Sequence, residues 1–284
     1  MQLTNRIACA VVLACALTLN SAWAADCAAD ADETNAKCYP TLQAAVNAAL
    51  AADRPLVLPR GTYRITAPLL IDYSRHADTG FELISRGATI DATAMGGPGL
   101  VIQCTADCFY FHQEGTLFVN AVTDGPAVVV GKTDFSDPQN SIKFDHLIVN
   151  NGSSSASATA VQLNYVLSSE INVVADTAGG RGLQVRQVQM TQLKGSASAT
   201  NGAALAVEDG YSYADSLISF DLEASRSCWL ITSPHAGHWW VGSLYYNCTV
   251  EVTTTQAGWA SWADGYTEIG VTGSDVHAVF RFLD

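Results

Sequence analysis

Positive charge is scarce in this chain. Its 284 residues include 14 Lys and Arg against 27 Asp and Glu, a formal net charge of −13. A field of that sign repels phosphate backbones and anionic lipid, which argues against nucleic acid and acidic membrane surfaces as partners. It also disfavours a strongly anionic polysaccharide, unless bound Ca²⁺ or a local basic patch reverses the field. The simplest use of the acidity is solubility. Long apolar runs are scarce too. Ile7 to Leu19 is too short to span a bilayer. It lies between Arg6 and the small-x-small site Ala22-Trp23-Ala24, which is the form of a secretory signal peptide cleaved before Ala25. Residues 1–24 are therefore expected to be a signal, and 25–284 one secreted or periplasmic domain with no membrane span. Losing Arg6 takes the charge from −13 to −14.

Six of the eight cysteines lie beyond the signal. In an oxidising compartment they are expected to form disulfides. Proximity favours Cys27–Cys38, Cys104–Cys108 and Cys228–Cys248. Their spacing suits a zinc site poorly.

Strong helical periodicity occurs in one place. In Thr41 to Ile65, TLQAAVNAALAADRPLVLPRGTYRI, the residues Leu42, Ala45, Val46, Ala49 and Leu50 fall on one helical face. Thr41 is positioned as an N-cap, and Pro55 is expected to end the helix. A strand at Leu56 to Leu58, a Pro-Arg-Gly turn and a strand at Thr62 to Ile65 follow. After this the chain becomes short β-type runs separated by Gly, Ser, Asn, Asp and Ala. Lys143 to Asn150 resembles Ser169 to Val174, and Ser216 to Leu222 resembles Trp239 to Leu244. The repeat of roughly 22 to 25 residues suits one coil of a stacked β-solenoid. The expected inward residues are Ile148, Val149, Val173, Leu183, Val185, Leu205, Val207, Ile218, Leu230 and Val241. An antiparallel sandwich would also give regular short strands, but it does not explain the helix-strand unit, which reads as a lid over an open solenoid end.

That unit resembles the N-terminal cap of the pectate-lyase superfamily, the right-handed parallel β-helices. Leu42, Gln43, Ala45, Ala48 and Ala49 match its helix, and Val57, Pro59, Gly61 and Tyr63 match its turn-strand element. The resemblance implies an all-β right-handed parallel β-helix with a capping helix, the cap at about 39–65 and C-terminal closing strands at about 259–284. It implies carbohydrate as the partner, since a β-helix offers a long face on which an extended polymer can lie. Proteins resembling this fold include polysaccharide lyases, glycoside hydrolases and adhesins without catalysis, so fold alone does not choose between them. Nor does it choose between monomer and trimer.

The densest chemistry-bearing stretch runs from Asp176 to Tyr246. Asp176, Arg181, Asp209, Asp215 and His235 are the candidate catalytic residues. Tyr211, Tyr213, Trp239, Trp240 and Tyr245 are the candidate sugar-stacking residues. Neighbouring coils lie about 4.8 Å apart, a spacing that permits paired carboxyls for glycoside hydrolysis. Polygalacturonase-type enzymes carry Asp-Asp and Gly-His-Gly elements. This chain has neither, only Ala236-Gly237-His238. Phe144-Asp145-His146 has a faint likeness to the Ile-Asp-His element of pectate lyases. A lyase would imply Ca²⁺ and a base, for which Arg181 and Lys143 are the candidates. No other cofactor is implied. His235-x-x-His238 lacks a nearby carboxylate and a helix beneath it, so it reads as a surface turn rather than a metal site. Two functions stand at this point: a secreted polysaccharide-cleaving enzyme, lyase or glycosidase, and a non-catalytic glycan- or surface-binding protein.

Overall fold

The computed structural model describes Cys27, residues 32–208 and, beyond these, strand segments between 213 and 281. Among the described residues the structure is all-β apart from one α-helix and two short 3₁₀ turns. Its strands form one curled, mostly parallel sheet.

After the helix the chain alternates between two columns of parallel strands. The first column includes Phe81–Ala92, Cys108–Ala121, Gln139–Asn151, Glu170–Thr177 and Gln192–Ala199. The second includes Leu69–Asp72, Leu100–Gln103, Pro126–Val130, Thr159–Leu167, Arg181–Gln189 and Ala203–Val207. Register is kept from rung to rung. Leu69, Leu100, Val128, Val161, Leu183, Leu205 and Trp229 pair in succession, and all are at most 1% exposed. β-Branched and leucine side chains repeat at these positions because each rung can bury its apolar face only against the next. Burying one such side chain contributes about 1.5–3 kcal/mol.

The repeat is less uniform than expected. Val161 to Leu183 is an offset of 22 residues, but Val128 to Val161 is 33. The early rungs are longer because loops such as 131–138 and 152–158 are inserted between strands. The strands whose sequences resemble each other lie side by side: Phe144 lies against Ile171, and Ser216 against Trp239. Of the expected inward residues, Val149, Val173, Leu183, Val185, Leu205 and Val207 are fully buried. Ile148 and Leu230 are only half-buried. Strand alternation turns them outward and puts Leu147 and Trp229, each 1% exposed, inside instead. The side chains of Ile218 and Val241 lie outside the described residues.

The helix, α1 (Leu42–Ala52), starts as expected. The Thr41 hydroxyl accepts the Ala44 N–H at 3.1 Å. Leu42, Ala45, Val46 and Ala49 are buried, and Leu50 packs at the margin. The stop comes earlier than Pro55. Asp53 turns into the left-handed region at φ 52, and the Arg54 N–H reaches the Ala49 carbonyl. Two motif residues have direct physical roles. Gln43 brackets the Leu70 backbone, accepting its N–H at 2.8 Å and donating to its carbonyl at 2.9 Å. Leu69–Asp72 pairs with one strand only among the described residues, so Gln43 satisfies a sheet edge that would otherwise be open. The Tyr63 hydroxyl donates to the Pro59 carbonyl at 2.9 Å and braces the turn.

Cys27–Cys38 and Cys104–Cys108 are disulfide-bonded. The expected Cys228–Cys248 bond lies outside the described residues. At the C-terminal end the strands turn antiparallel, Gly258–Trp262 with Thr267–Val271 and Thr249–Thr254 with Val276–Arg281. No helix among the described residues is long and apolar enough to cross a membrane.

Candidate functional site

In the first column Phe81, Leu83, Phe111, Gln113, Ile142 and Phe144 point inward and are buried. Alternation therefore sends Glu82, His112 and Lys143 to the outer face, where they pair in register on three successive rungs. Asp145 joins them two residues beyond Lys143. His112 sits between carboxylates: Nδ1 lies 3.5 Å from Glu82 Oε1, and Nε2 3.2 Å from Asp145 Oδ1. Lys143 Nζ is 3.2 Å from the same Asp145 oxygen. The other, Oδ2, accepts the Gly115 N–H at 3.2 Å. Burial works to raise the Asp145 carboxyl. The hydrogen bonds from His112, Gly115 and Lys143, with the Lys143 charge, outweigh it and hold it below the usual carboxylate range.

A bulge makes the Gly115 contact possible. The ladder shifts between Gln113 and Thr116, so Glu114 and Gly115 lie opposite Asp145 alone. Gly115 has φ +75, and a Cβ there would come within 2.3 Å of the Ser85 carbonyl oxygen. Only glycine fits.

Beside this row opens a cavity of about 410 Å³, bordered by Asp53, Arg54, Gly80, Glu82, Tyr110 and His112. Tyr110 stands out on its rim. It has φ +63, a strained conformation for an aromatic residue, and its side chain is 62% exposed. Gly80 makes room for it, since a Cβ at Gly80 would lie 2.0 Å from the Tyr110 carbonyl oxygen. Phe109 is also exposed, with its ring centroid 6.2 Å from that of Tyr110. On the opposite wall Asp53 is held by His76 Nδ1 at 2.9 Å, while His76 Nε2 lies 2.7 Å from the Leu50 carbonyl oxygen at the end of α1.

The residues expected from sequence fall elsewhere. Asp176 lies next to the last residue of the strand Glu170–Thr177 in the first column and accepts the Ser198 hydroxyl at 2.8 Å. Arg181 opens a strand of the second column. Its guanidinium forks onto Glu208 at 2.5 and 2.7 Å and donates to the Ala156 carbonyl at 3.1 Å. Gln184 also donates to Glu208. Asp176 and Arg181 share no hydrogen bond or ion pair. An arginine held in this bidentate pair braces neighbouring rungs. Asp209, Tyr211, Asp215 and His235 lie outside the described residues. Tyr213, Trp239, Trp240 and Tyr245 are placed on the strands Tyr213–Ala214, Trp239–Val241 and Leu244–Tyr246, but their side chains lie outside what is described. Among the described residues no group of three or more His, Cys, Asp and Glu is arranged to hold a metal ion.

The sequence marks Lys143 and Asp145 as candidates, and it does not mark Glu82, His112 or Tyr110. The signal for Glu82 and His112 is a recurring triplet with an ionisable residue between two inward-facing ones, Phe81-Glu82-Leu83, Phe111-His112-Gln113 and Ile142-Lys143-Phe144, whose flanking residues are apolar except Gln113. These stand 30 and 31 residues apart, outside the shorter repeat that the later rungs suggest.

Comparison of the chain with protein-family models, with curated proteins and with solved structures gives no match.

Proposed function

We propose that the chain is an exported parallel β-helix protein of the pectate-lyase type, closed by α1, that cleaves a polysaccharide lying along the groove between Tyr110 and the Glu82–His112–Asp145 row. The observation that carries this reading is the pairing of an exposed, strained aromatic with a histidine held between two carboxylates on the same groove. The Tyr110 ring offers a face for a sugar to stack on. Both ring nitrogens of His112 face carboxylate oxygens, so the ring is held where it can pass a proton to a leaving glycosidic oxygen. Asp145 orients that ring, and of the two carboxylates beside His112 it is Glu82 that borders the cavity. Its 3.5 Å separation from His112 is long and leaves room to tighten around a substrate. Arg54, on the same groove, supplies local positive charge on an acidic protein.

A second reading is glycan binding without cleavage. It is favoured by the engagement of both His112 nitrogens with carboxylates of the chain itself. A polysaccharide panel, with and without Ca²⁺, separates the two. New reducing ends together with ultraviolet-absorbing unsaturated product identify a lyase, and reducing ends alone a hydrolase. His112→Ala is expected to abolish either. Binding that is lost in Tyr110→Ala, with no cleavage, supports the second reading. Neither binding nor cleavage across the panel overturns both.

A further inference from the structure

One core position in the first column breaks the pattern around it. Leu56, Leu83, Gln113, Phe144, Ile171 and Leu193 pair in register from rung to rung. All are buried, and all but Gln113 are apolar. Gln113 is 1% exposed. Its Nε2 donates to the carbonyl oxygens of Glu114 at 2.9 Å and Gly115 at 2.8 Å. Both partners are acceptors, which fixes the orientation of the amide and leaves Oε1 buried with no partner among the described residues. A leucine would fill a similar volume without stranding a buried acceptor. A polar residue that breaks a local rule at such a cost points to a role beyond packing.

That role can be read from the peptide geometry. The C=O of Glu114 and the N–H of Gly115 belong to one trans peptide, so they point in opposite directions. Drawing the carbonyl inward onto Gln113 turns the N–H outward, where it meets Asp145 Oδ2. We propose that Gln113 is a positioning residue for the outer site: from inside the core it sets the Glu114–Gly115 peptide so that the Gly115 N–H holds Asp145, which in turn orients His112. The functional consequence rests on the groove being the glycan site. The structural coupling does not.

The test has one arm free of any glycan. In the wild-type protein the Gln113 side-chain amide protons are expected to exchange slowly with solvent. In Gln113→Met, which keeps the bulk and removes both donors, carbon NMR of the Asp145 carboxyl is expected to show its titration moving up toward the ordinary range. Leu193→Ala, a destabilising change in the same column, is expected to lower the melting temperature and leave Asp145 where it was. With any glycan that the wild type binds or cleaves, Gln113→Met is expected to lose roughly tenfold, the loss of about one hydrogen bond. An Asp145 titration unchanged in Gln113→Met overturns the proposal. So do Gln113 amide protons that exchange freely in the wild type, and this decides the matter if the variant does not fold. An Asp145 shift in a protein that binds no glycan supports the positioning role and removes the groove reading instead.

Discussion

Asn151 should be among the costliest residues to remove. It ends Gln139–Asn151 and is fully buried where the chain leaves the first column for the second. Its Nδ2 donates to the carbonyls of Thr123, Gly125 and Thr159, each at 3.0 Å. Its Oδ1 accepts the N–H of Thr123 at 3.1 Å and of Ser153 at 3.3 Å. One side chain thus ties three stretches of backbone at the corner between the columns. Two amide hydrogens and one oxygen cannot make five full-strength bonds, so about four bonds' worth is a fair count. At about 1 kcal/mol net for each, Asn151→Ala should cost about 4 kcal/mol. For a chain of this size that lowers the melting temperature by roughly 10 °C. The neighbouring Asn150 faces outward and is exposed, so Asn150→Ala should stay within about 0.5 kcal/mol of wild type. Equilibrium urea unfolding followed by circular dichroism measures both. The reasoning fails if Asn151→Ala costs less than about 1 kcal/mol, or if the two alanine variants are alike.

The Asp145 carboxyl is held below its ordinary range in the folded state. Its contribution to stability is therefore complete above the unfolded value, about 3.9, and is lost as pH falls through the folded one. Acid unfolding of Asp145→Asn should lack this component, so the stability gap from wild type should narrow as the pH drops. At Tyr110, relief of the positive φ should make Tyr110→Gly about 1 kcal/mol more stable than Tyr110→Ala, while both lose glycan binding, as thermal melts and titrations would show. Thr41→Ala removes the N-cap of α1 and should cost about 1 kcal/mol by denaturant unfolding.

How much of this could be read from the chain depended on how local the physics was. The start of α1 was legible because a cap and an apolar face lie within a few residues of each other. Its end was not, because Asp53 stops the helix by adopting a left-handed conformation that no composition rule assigns to aspartate there. The pairing of Ser216 with Trp239 was legible because the late rungs keep a short repeat. The Glu82–His112–Lys143 row was hidden by loop insertions that stretch the early repeat. Asn150 and Asn151 are the same residue type side by side, and only strand alternation makes one exposed and the other a buried strut. Arg181 stands in the chemistry-bearing stretch from Asp176 to Tyr246, but its partner Glu208 lies 27 residues away, a distance that the sequence does not link.

The most direct test of the groove is chemical-shift mapping of the protein with an oligosaccharide drawn from whichever polysaccharide it binds. Tyr110, His112 and Glu82 should shift together and saturate with one affinity, and Tyr110→Ala should abolish the response. Saturable shifts centred on Asp176 and Arg181, with Tyr110 and His112 unmoved, would contradict the account.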